Sequence, residues 1–383
     1  MNLELKAFVP PPAGQTKPIY AAAVEGVLSL IINRRYWDVS DFELHAALTE
    51  RNRNALQIGN LIYHPPDAYL IQGVELDRGS KQMTATGQSL ACLLADRYNL
   101  SAVEYADKPL DTICRELVSK NLISASRTFP DPSAAPYFAA NAVPHLSLGE
   151  SLPNTPSLSK QDSDSELLAL ICELCQSCET GFRVRFDLEN WAYRFELFRG
   201  FDRTLGQQER PACVFSREYD TVLDEQYTVS SSNYKNVAFV KGEGEGDARK
   251  GVFVRLPLAD GSLPEGGTAK ELFVDARDLR QEEGMSDAAY RNLLEQRGRE
   301  KLAERLMVET MSQTLVQGSS KQYRRDWNLG DRVTVLNREW GLQLDTCITE
   351  VQEVYEPSGE TISPTLGNSV PTLTDKIKQL TKR

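Results

Sequence analysis

The sequence predicts a mainly β protein with α+β lobes, and three observations support this fold class. Short runs that alternate between apolar and polar residues recur in both halves of the chain. Glycine, proline and other turn residues separate these runs. Only a few segments repeat apolar residues at helical spacing. The chain has 383 residues, a length that favours about two to four domains rather than one core.

The first hundred residues predict a compact β unit. Its predicted strands span residues 27–32, 42–46, 60–63, 69–76 and 82–86. Turn residues separate the strands, a pattern that is typical of a small antiparallel barrel or sandwich. The segment GQSLACLLADRY then predicts a short helix that closes this unit.

The next hundred residues predict a mixture of helices and strands. Residues 108–123 have one apolar helical face. Residues 129–160 are rich in Pro, Ser and Ala, and they predict an irregular loop. Residues 182–198 alternate cleanly between apolar and polar side chains, so they predict two strands joined by a turn at Glu189 and Asn190.

A helix between these segments is predicted to carry three cysteines. Cys172, Cys175 and Cys178 form a C-x2-C-x2-C run that could hold an iron-sulfur cluster. The run lacks a nearby fourth cysteine followed by proline, and free cysteines pack as small apolar residues. We therefore interpret them as thiols on a helix face. The odd total of seven cysteines indicates a reducing compartment.

The second half predicts a β-rich region at 213–274, then a strong helix and a closing set of strands at 329–367. Ser286 is the predicted N-cap of the helix. Its predicted buried face consists of four leucines, Leu293, Leu294, Leu302 and Leu306. The final segment, PTLTDKIKQLTKR, is amphipathic and too short to be a stable helix alone. We therefore identify a candidate docking tail with the apolar residues Leu373, Ile377 and Leu380.

A glycine-rich loop lies between two β-branched runs in NVAFVKGEGEGDARKGVFV. A phosphate-binding loop needs backbone N–H groups at a helix N-terminus and a spacing such as G-x-x-x-x-G-K-[ST]. Here glycines alternate with acids that would repel phosphate, so the segment predicts a hairpin with a flexible acidic tip. The candidate loop residues are Gly242, Glu243, Gly244, Glu245, Gly246 and Asp247. Shortening residues 242–246 is expected to leave folding nearly intact.

The motifs for catalysis and metal binding are weak. Ser89 lies in GQSLA between a predicted strand and a predicted helix, as in a nucleophile elbow, but a helix N-cap is the simpler interpretation. His45, His64 and His145 lie far apart in sequence and form no metal-ligand spacing. The sequence therefore predicts no catalytic, metal-binding or cofactor-binding residues, and a protein that is not an enzyme.

The charge of the chain limits its partners. A formal net charge of −11 disfavours general electrostatic binding to nucleic acid or to an anionic membrane. The longest apolar stretch, residues 20–32, is shorter than a membrane span and contains Glu25. Glu4 and Lys6 interrupt any apolar region of a signal peptide, so we expect synthesis in the cytoplasm.

Several segments resemble, in order and spacing, the tail-hub or baseplate-hub family of long-tailed phages. Within this family the segments are most similar to the proteins of Gram-positive siphophages and prophages, which resemble the N-terminal part of tail-associated lysins. The segments are SLIINRRYWDVSDFEL (29–44), QIGNLIYHPPDAYLIQGVEL (57–76), KQMTATGQSLACLLADR (81–97), FELFRGFDRT (195–204), YTVSSSNYKNVAFVKGEGEGDAR (227–249) and GDRVTVLNREWGLQLDTCITEVQEVYEPSGE (330–360). The resemblance covers nearly the whole chain.

The resemblance implies two small antiparallel β-barrels per chain, which alternate in a trimeric ring with pseudo-sixfold symmetry. The implied parts are a first β-barrel (1–100), a peripheral α+β lobe with the Pro/Ser-rich excursion (101–200), a second, split β-barrel (201–244 and 311–366), an inserted lobe with a helix (245–310) and a C-terminal amphipathic tail (367–383).

The resemblance also implies a structural hub in the tail tip or baseplate of a virion, or of a phage-derived injection particle. The implied partners are two further copies of the chain, a distal tail or tube protein ring, the tape-measure protein and a tip, spike or receptor-binding protein, with DNA only in transit. Lysin-bearing members continue into a peptidoglycan hydrolase, which is not implied for this chain. Two alternatives stay open, a cell-wall hydrolase of serine or carboxylate type and a glycan-binding adhesin with exposed aromatic residues.

Overall fold

The computed structural model shows a mainly β chain with few helices. It describes residues 5–11, 15, 17, 19–124, 126–127, 129–139, 141–219, 222–246, 249–315 and 321–367. These residues form two mainly antiparallel β units that share one sheet, a peripheral α+β lobe and a small inserted lobe.

The first β unit contains seven strands and one short helix. They are β1 (Lys6–Val9), β2 (Ile19–Ala23), β3 (Val27–Arg35), β4 (Asp41–Ala47), α1 (Glu50–Ala55), β5 (Leu61–His64), β6 (Asp67–Asp77) and β7 (Gln82–Ser89). Alternate side chains of β3, β4 and β7 point into one core that includes Ile32, Leu44 and Ala85. The five predicted strands are confirmed as β3 to β7. The segment after β7 forms a short 3₁₀ helix, Leu90–Leu94, rather than an α-helix.

The peripheral lobe packs helices against short strands. Its elements are β8 (Tyr98–Asn99), β9 (Val103–Pro109), α2 (Leu110–Val118), α3 (Ala135–Ala139), β10 (Leu146–Leu148), β11 (Ser157–Asp162), β12 (Ser165–Glu166), α4 (Leu167–Ser177), β13 (Gly181–Asp187) and β14 (Ala192–Phe198). The predicted hairpin at 182–198 is confirmed as β13 and β14. The predicted irregular loop contains β10 and β11, which pair with β14 and β9. The strands were missed because their pairing partners are distant in sequence, and the composition of a segment does not reveal such partners.

The second half contains ten strands and one long helix. They are β15 (Asp202–Arg203), β16 (Val214–Phe215), β17 (Val222–Ser230), β18 (Val237–Lys241), β19 (Gly251–Arg255), β20 (Glu271–Asp275), α5 (Asp287–Ala303), β21 (Val308–Leu315), β22 (Arg332–Asn337), β23 (Leu342–Glu356) and β24 (Gly359–Gly367). Strands β15 to β17 and β21 to β24 surround a core that contains Phe215, Trp327 and Val335.

The inserted lobe is a three-stranded sheet covered on one face by α5. Its strand order is β19-β18-β20, and α5 buries Leu293, Leu294 and Leu302 against it. The Ser286 hydroxyl accepts a hydrogen bond of 3.1 Å from the Ala289 N–H, which confirms the predicted N-cap. Leu306 lies beyond the end of α5 and is partly exposed, so it is not part of the buried face. The lobe also begins earlier than residue 245, because β18 pairs with both β19 and β20.

One sheet joins the two β units. Strand β3 pairs antiparallel with β23, from Arg35 opposite Glu350 to Leu30 opposite Tyr355. The sheet then follows the order β17-β21-β24-β23-β3-β4-β7-β6-β5-β1-β2, with β15, β16 and β22 alongside β23. Among the described strands this order does not close into a barrel, because β17 and β2 lie at its two ends. Each unit nevertheless keeps its own core.

Candidate functional site

The predicted glycine-rich loop is a hairpin whose base is fixed and whose tip is exposed. The Gly242 N–H donates to the Lys250 carbonyl at 2.8 Å, and the Glu243 N–H donates to the Tyr290 hydroxyl at 3.0 Å. A Cβ atom on Gly242 would overlap that hydroxyl. Beyond this base Gly244, Glu245 and Gly246 are exposed, and both glycines have positive φ, 106° and 54°. Asp247 lies outside the described residues.

The candidate docking tail, with Leu373, Ile377 and Leu380, also lies outside the described residues. The chain is described up to Gly367, the last residue of β24.

The possible catalytic and metal-binding residues are not brought together. The Ser89 N–H donates to the Ser40 carbonyl at 2.8 Å, and no hydrogen bond in the described part of the chain joins Ser89 to a histidine. His145 contacts the Pro11 carbonyl at 3.3 Å in the peripheral lobe, whereas His45 contacts Glu43 at 2.6 Å on β4. Within the described ranges no group of three or more His, Cys, Asp or Glu residues could hold a metal ion.

The three cysteines of α4 and its C-cap are packed thiols. Cys175 is buried, and Cys172 and Cys178 are half-buried. Burial raises the pKa of Cys175 and of Cys178 above the ordinary thiol value. A raised pKa keeps these groups protonated, whereas an iron-sulfur cluster is held by thiolates.

A buried ion cluster lies where the two β units meet. Arg34 on β3 forms salt bridges with Glu353 on β23 and with Asp67 at the start of β6. Arg324, from the loop before β22, donates to the two Glu353 carboxylate oxygens at 3.2 and 3.4 Å. The Tyr355 hydroxyl donates to the same carboxylate at 2.8 Å. Glu353 is fully buried, so this one carboxylate connects both units.

The electrostatics of the cluster follow from burial and from the two guanidinium groups. Burial opposes the charge of Glu353, but Arg34 and Arg324 outweigh it and lower the pKa of this carboxyl. Burial, partly opposed by Glu353, lowers the pKa of His64 to about 4. The neutral His64 ring lies 3.3 Å from the Tyr355 hydroxyl. The cluster can therefore hold strands together, and it contains no histidine poised to act as a base near neutral pH.

The residues of this cluster were not among those predicted from the sequence. The alternation in β23 places Glu353 between Val351 and Tyr355 on an inward-facing set of positions. A charged residue at such a position is a signal for a buried ion pair, but its partner Arg34 is 319 residues away.

Two further polar contacts join segments that are distant in sequence. Asp331 accepts hydrogen bonds from the Phe201 N–H at 2.7 Å and from Arg203 Nε at 2.8 Å, which ties the start of the second unit to β22. Lys160 of the peripheral lobe lies 2.7 Å from the buried Glu300 of α5. The second contact therefore links the peripheral lobe to the inserted lobe.

Both ends of the shared sheet expose apolar side chains. At one end β17 pairs only with β21 among the described strands, and it exposes Leu223 and Val229. At the other end β2 pairs only with β1, and it exposes Ile19 and Tyr20. Unpaired strand edges carry backbone N–H and C=O groups that can bond another strand. The two edges are therefore candidate assembly surfaces.

A row of phenylalanines covers the face of the inserted lobe opposite α5. Phe239, Phe253 and Phe273 are direct neighbours across β19, β18 and β20, and they are 40, 50 and 59% exposed. The rings of Phe239 and Phe253 stack at a centroid distance of 5.1 Å. An exposed apolar row of this kind is typical of a protein contact surface.

The fold is similar to that of phage and prophage tail proteins over almost the full length of each chain. The tail protein from Neisseria meningitidis MC58 has a TM-score of 0.54 and 13% identity, with 96% of this chain and 97% of that chain covered. The prophage tail protein gp18 from Listeria monocytogenes EGD-e has a TM-score of 0.54 and 10% identity, with 99% and 98% covered.

A third phage tail protein has a similar fold over almost its full length. The 43 kDa tail protein of prophage MuSo2 from Shewanella oneidensis has a TM-score of 0.53 and 12% identity, with 95% of this chain and 98% of that chain covered. No curated protein matches the chain. None of the described helices has the length and apolar character needed to cross a membrane.

The family comparison agrees with the structural one and confirms the resemblance to phage tail proteins. A match to the family described as Siphovirus ReqiPepy6 Gp37-like protein extends over residues 19–368. The chain belongs to the Siphovirus ReqiPepy6 Gp37-like protein family.

Proposed function

We propose that this chain is a structural hub of a phage tail tip or baseplate, or of a phage-derived injection particle. The observation that carries the proposal is the similarity to three phage and prophage tail proteins over at least 95% of this chain. In this role the chain would join the hexameric tube or distal tail ring to a threefold tip. Its place would be the tail tip or baseplate of the virion.

The proposed assembly is a homotrimer in which six β units form a pseudo-sixfold ring. Two observations support it. Each chain contributes two β units with separate cores, and the shared sheet ends in two different unpaired edges, β17 and β2. If β17 of one copy contacts β2 of the next, the contact is head-to-tail, and a rotation of about 120° between copies closes such contacts into a ring of three.

The proposed partners are other tail components rather than a substrate. They are a distal tail or tube protein, the tape-measure protein and a tip, spike or receptor-binding protein. The exposed row of Phe239, Phe253 and Phe273 supports a contact with one of them. DNA would pass in transit without adhering, since a net charge of −11 disfavours phosphate binding.

We propose a non-enzymatic role. The hydrolase alternative has little support, because Ser89 has no histidine partner in the described part of the chain. The adhesin alternative needs ring faces that are open to sugars. Stacking of Phe239 on Phe253 covers one face of each ring, which favours a protein partner over a glycan.

The trimer is tested by light scattering of the purified chain over a range of concentrations. We expect a species of three times 42.8 kDa and ring-shaped particles in negative-stain images. The double variant Leu223→Lys and Val229→Lys on β17 should lower the trimer fraction at least tenfold, because charged edge strands resist pairing. The control Leu76→Lys changes an exposed leucine on β6, away from both edges.

The place of the chain in the particle is tested with an antibody against the inserted lobe. Gold-labelled antibody should decorate the tail tip or baseplate of intact particles. A wild-type chain that stays monomeric at all concentrations contradicts the trimer. Gold label at the capsid instead of the tail tip or baseplate would contradict the proposed hub role.

A further inference from the structure

A groove lies between the inserted lobe and the second β unit. Its volume is about 740 Å³. Leu258 and Leu306 line the side of the inserted lobe, and Leu344 and Leu366 line the side of the second unit. Leu306 is 38% exposed although it is a large aliphatic side chain. The groove thus offers an apolar floor to a segment that carries apolar side chains.

The groove is also acidic. Asp260, Glu309 and Asp345 contribute to its lining. Among the described residues none of these three carboxylates forms a salt bridge. Asp260 accepts hydrogen bonds from Ser262, and Glu309 accepts one from the Tyr227 hydroxyl at 2.6 Å. A segment that combines apolar and basic side chains fits this surface best.

Such a segment follows the groove directly in the sequence. Gly367, at the end of β24, is itself part of the groove lining. Residues 371–383 read PTLTDKIKQLTKR, with four basic residues and one acidic residue. Their apolar residues are Leu373, Ile377 and Leu380, at a spacing that places them on one face of a helix. The six residues from Gly367 to Leu373 can span about 20 Å, so the segment can reach the groove.

We propose that residues 371–383 bind in this groove of their own chain. Leu373, Ile377 and Leu380 contact the leucines of the floor, and the basic residues lie near Asp260, Glu309 and Asp345. Binding within one chain is favoured over binding to a second copy, because a short connection gives a high effective concentration. The bound segment bridges the inserted lobe and the second β unit. The proposal concerns the single chain, so it does not depend on the hub role.

Photocrosslinking of the full-length chain tests the proposal. A benzoylphenylalanine probe replaces Ile377 in one variant and Gln379 in a matched control, since Gln379 lies about 200° away on a helix. After irradiation and denaturing electrophoresis, mass spectrometry identifies the linked peptides. The Ile377 probe is expected to link to residues 257–260 or 306–311 within one chain, at least five times more efficiently than the Gln379 probe.

Charge reversal tests the acidic side of the groove. The double variant Lys376→Glu and Lys378→Glu, made with the probe at Ile377, should lower the yield of this crosslink at least fivefold. The control Lys376→Arg and Lys378→Arg should keep it. The proposal is overturned if the Ile377 probe links mainly two chains, links to another surface, or gives no more product than Gln379. It is also overturned if charge reversal leaves the yield unchanged.

Discussion

At the scale of single residues, the junction between the β units depends on Glu353. Its carboxylate is fully buried. It forms salt bridges with Arg34 and Arg324 and accepts a hydrogen bond from the Tyr355 hydroxyl. A buried ion pair adds little net stability compared with apolar packing, but an unpaired buried charge costs about 3–5 kcal/mol. The cluster therefore acts mainly by fixing how β3 and β23 pair, because Arg34 lies opposite Val351 and a one-residue slip would turn Arg34 or Glu353 to the other face of the sheet.

His64 makes the stability of this junction depend on pH. Its pKa in the folded chain is about 4 because burial disfavours the charged ring, whereas an unfolded histidine has a pKa of about 6.5. Between these values the unfolded chain binds more protons than the folded one, so stability rises with pH in this window. The contribution is complete above pH 6.5 and is lost as the pH falls towards 4.

The variant His64→Phe should remove this pH dependence. In the wild type, the His64 contribution to the free energy of unfolding should fall by about 2 kcal/mol between pH 7 and pH 5. In His64→Phe that part of the slope should be absent, because phenylalanine does not titrate. Urea unfolding at pH 5, 6 and 7 measures both slopes. His45→Phe serves as a control on the first unit's surface, and equal slopes in wild type and His64→Phe would contradict the assignment.

At the scale of elements, local patterns predicted hairpins well and long-range pairing poorly. The alternation in residues 182–198 was enough to predict β13 and β14, because these two strands pair with each other and are adjacent in sequence. Strand β11 pairs with β9 across α2, α3 and β10, and β3 pairs with β23, which follows it by more than 300 residues. Neither pairing has a local signature, because any alternating strand can pair with many others. The cluster of Arg34 and Glu353 could not be predicted for the same reason, because it forms only when β3 and β23 pair.

The hairpin between β18 and β19 revises one sequence-based expectation. Shortening residues 242–246 was expected to leave folding nearly intact, and the contacts of Gly242 and Glu243 now lead us to expect this for the tip alone. Gly242 is buried against Tyr290 and Leu294, and the Glu243 N–H bonds to the Tyr290 hydroxyl. The sequence shows that glycine is present, and only the fold shows which glycine has a neighbour that excludes a side chain.

Gly242→Ala should destabilise the inserted lobe by about 1–3 kcal/mol, because the added methyl group displaces Tyr290 from its hydrogen bonds. Deletion of residues 244–246 should cost less than about 1 kcal/mol, since loop length has a weak effect. Thermal unfolding of both variants measures the difference. Gly267→Ala, at a position with open space around the added atom, is the matched control. A larger loss from the tip deletion than from Gly242→Ala would contradict this division of the loop.

At the scale of the whole molecule, the described chain has several cores but one continuous sheet. The first and second β units each bury their own apolar residues. They are coupled through six residue pairs between β3 and β23 and through the ion cluster beside them. A chain of this size often unfolds in separate steps. Here the shared sheet should make the two β units unfold together.

Glu353→Lys should separate the two units. It places a third cation beside Arg34 and Arg324 in a buried site, where like charges repel strongly. Each unit keeps its own core, so we expect two calorimetric transitions in place of one, the first at a lower temperature than in the wild type. The control Glu356→Lys introduces the same charge at an exposed position three residues later on β23, and it should keep the single transition. A single transition in Glu353→Lys, or two in the control, would show that the cluster does not couple the units.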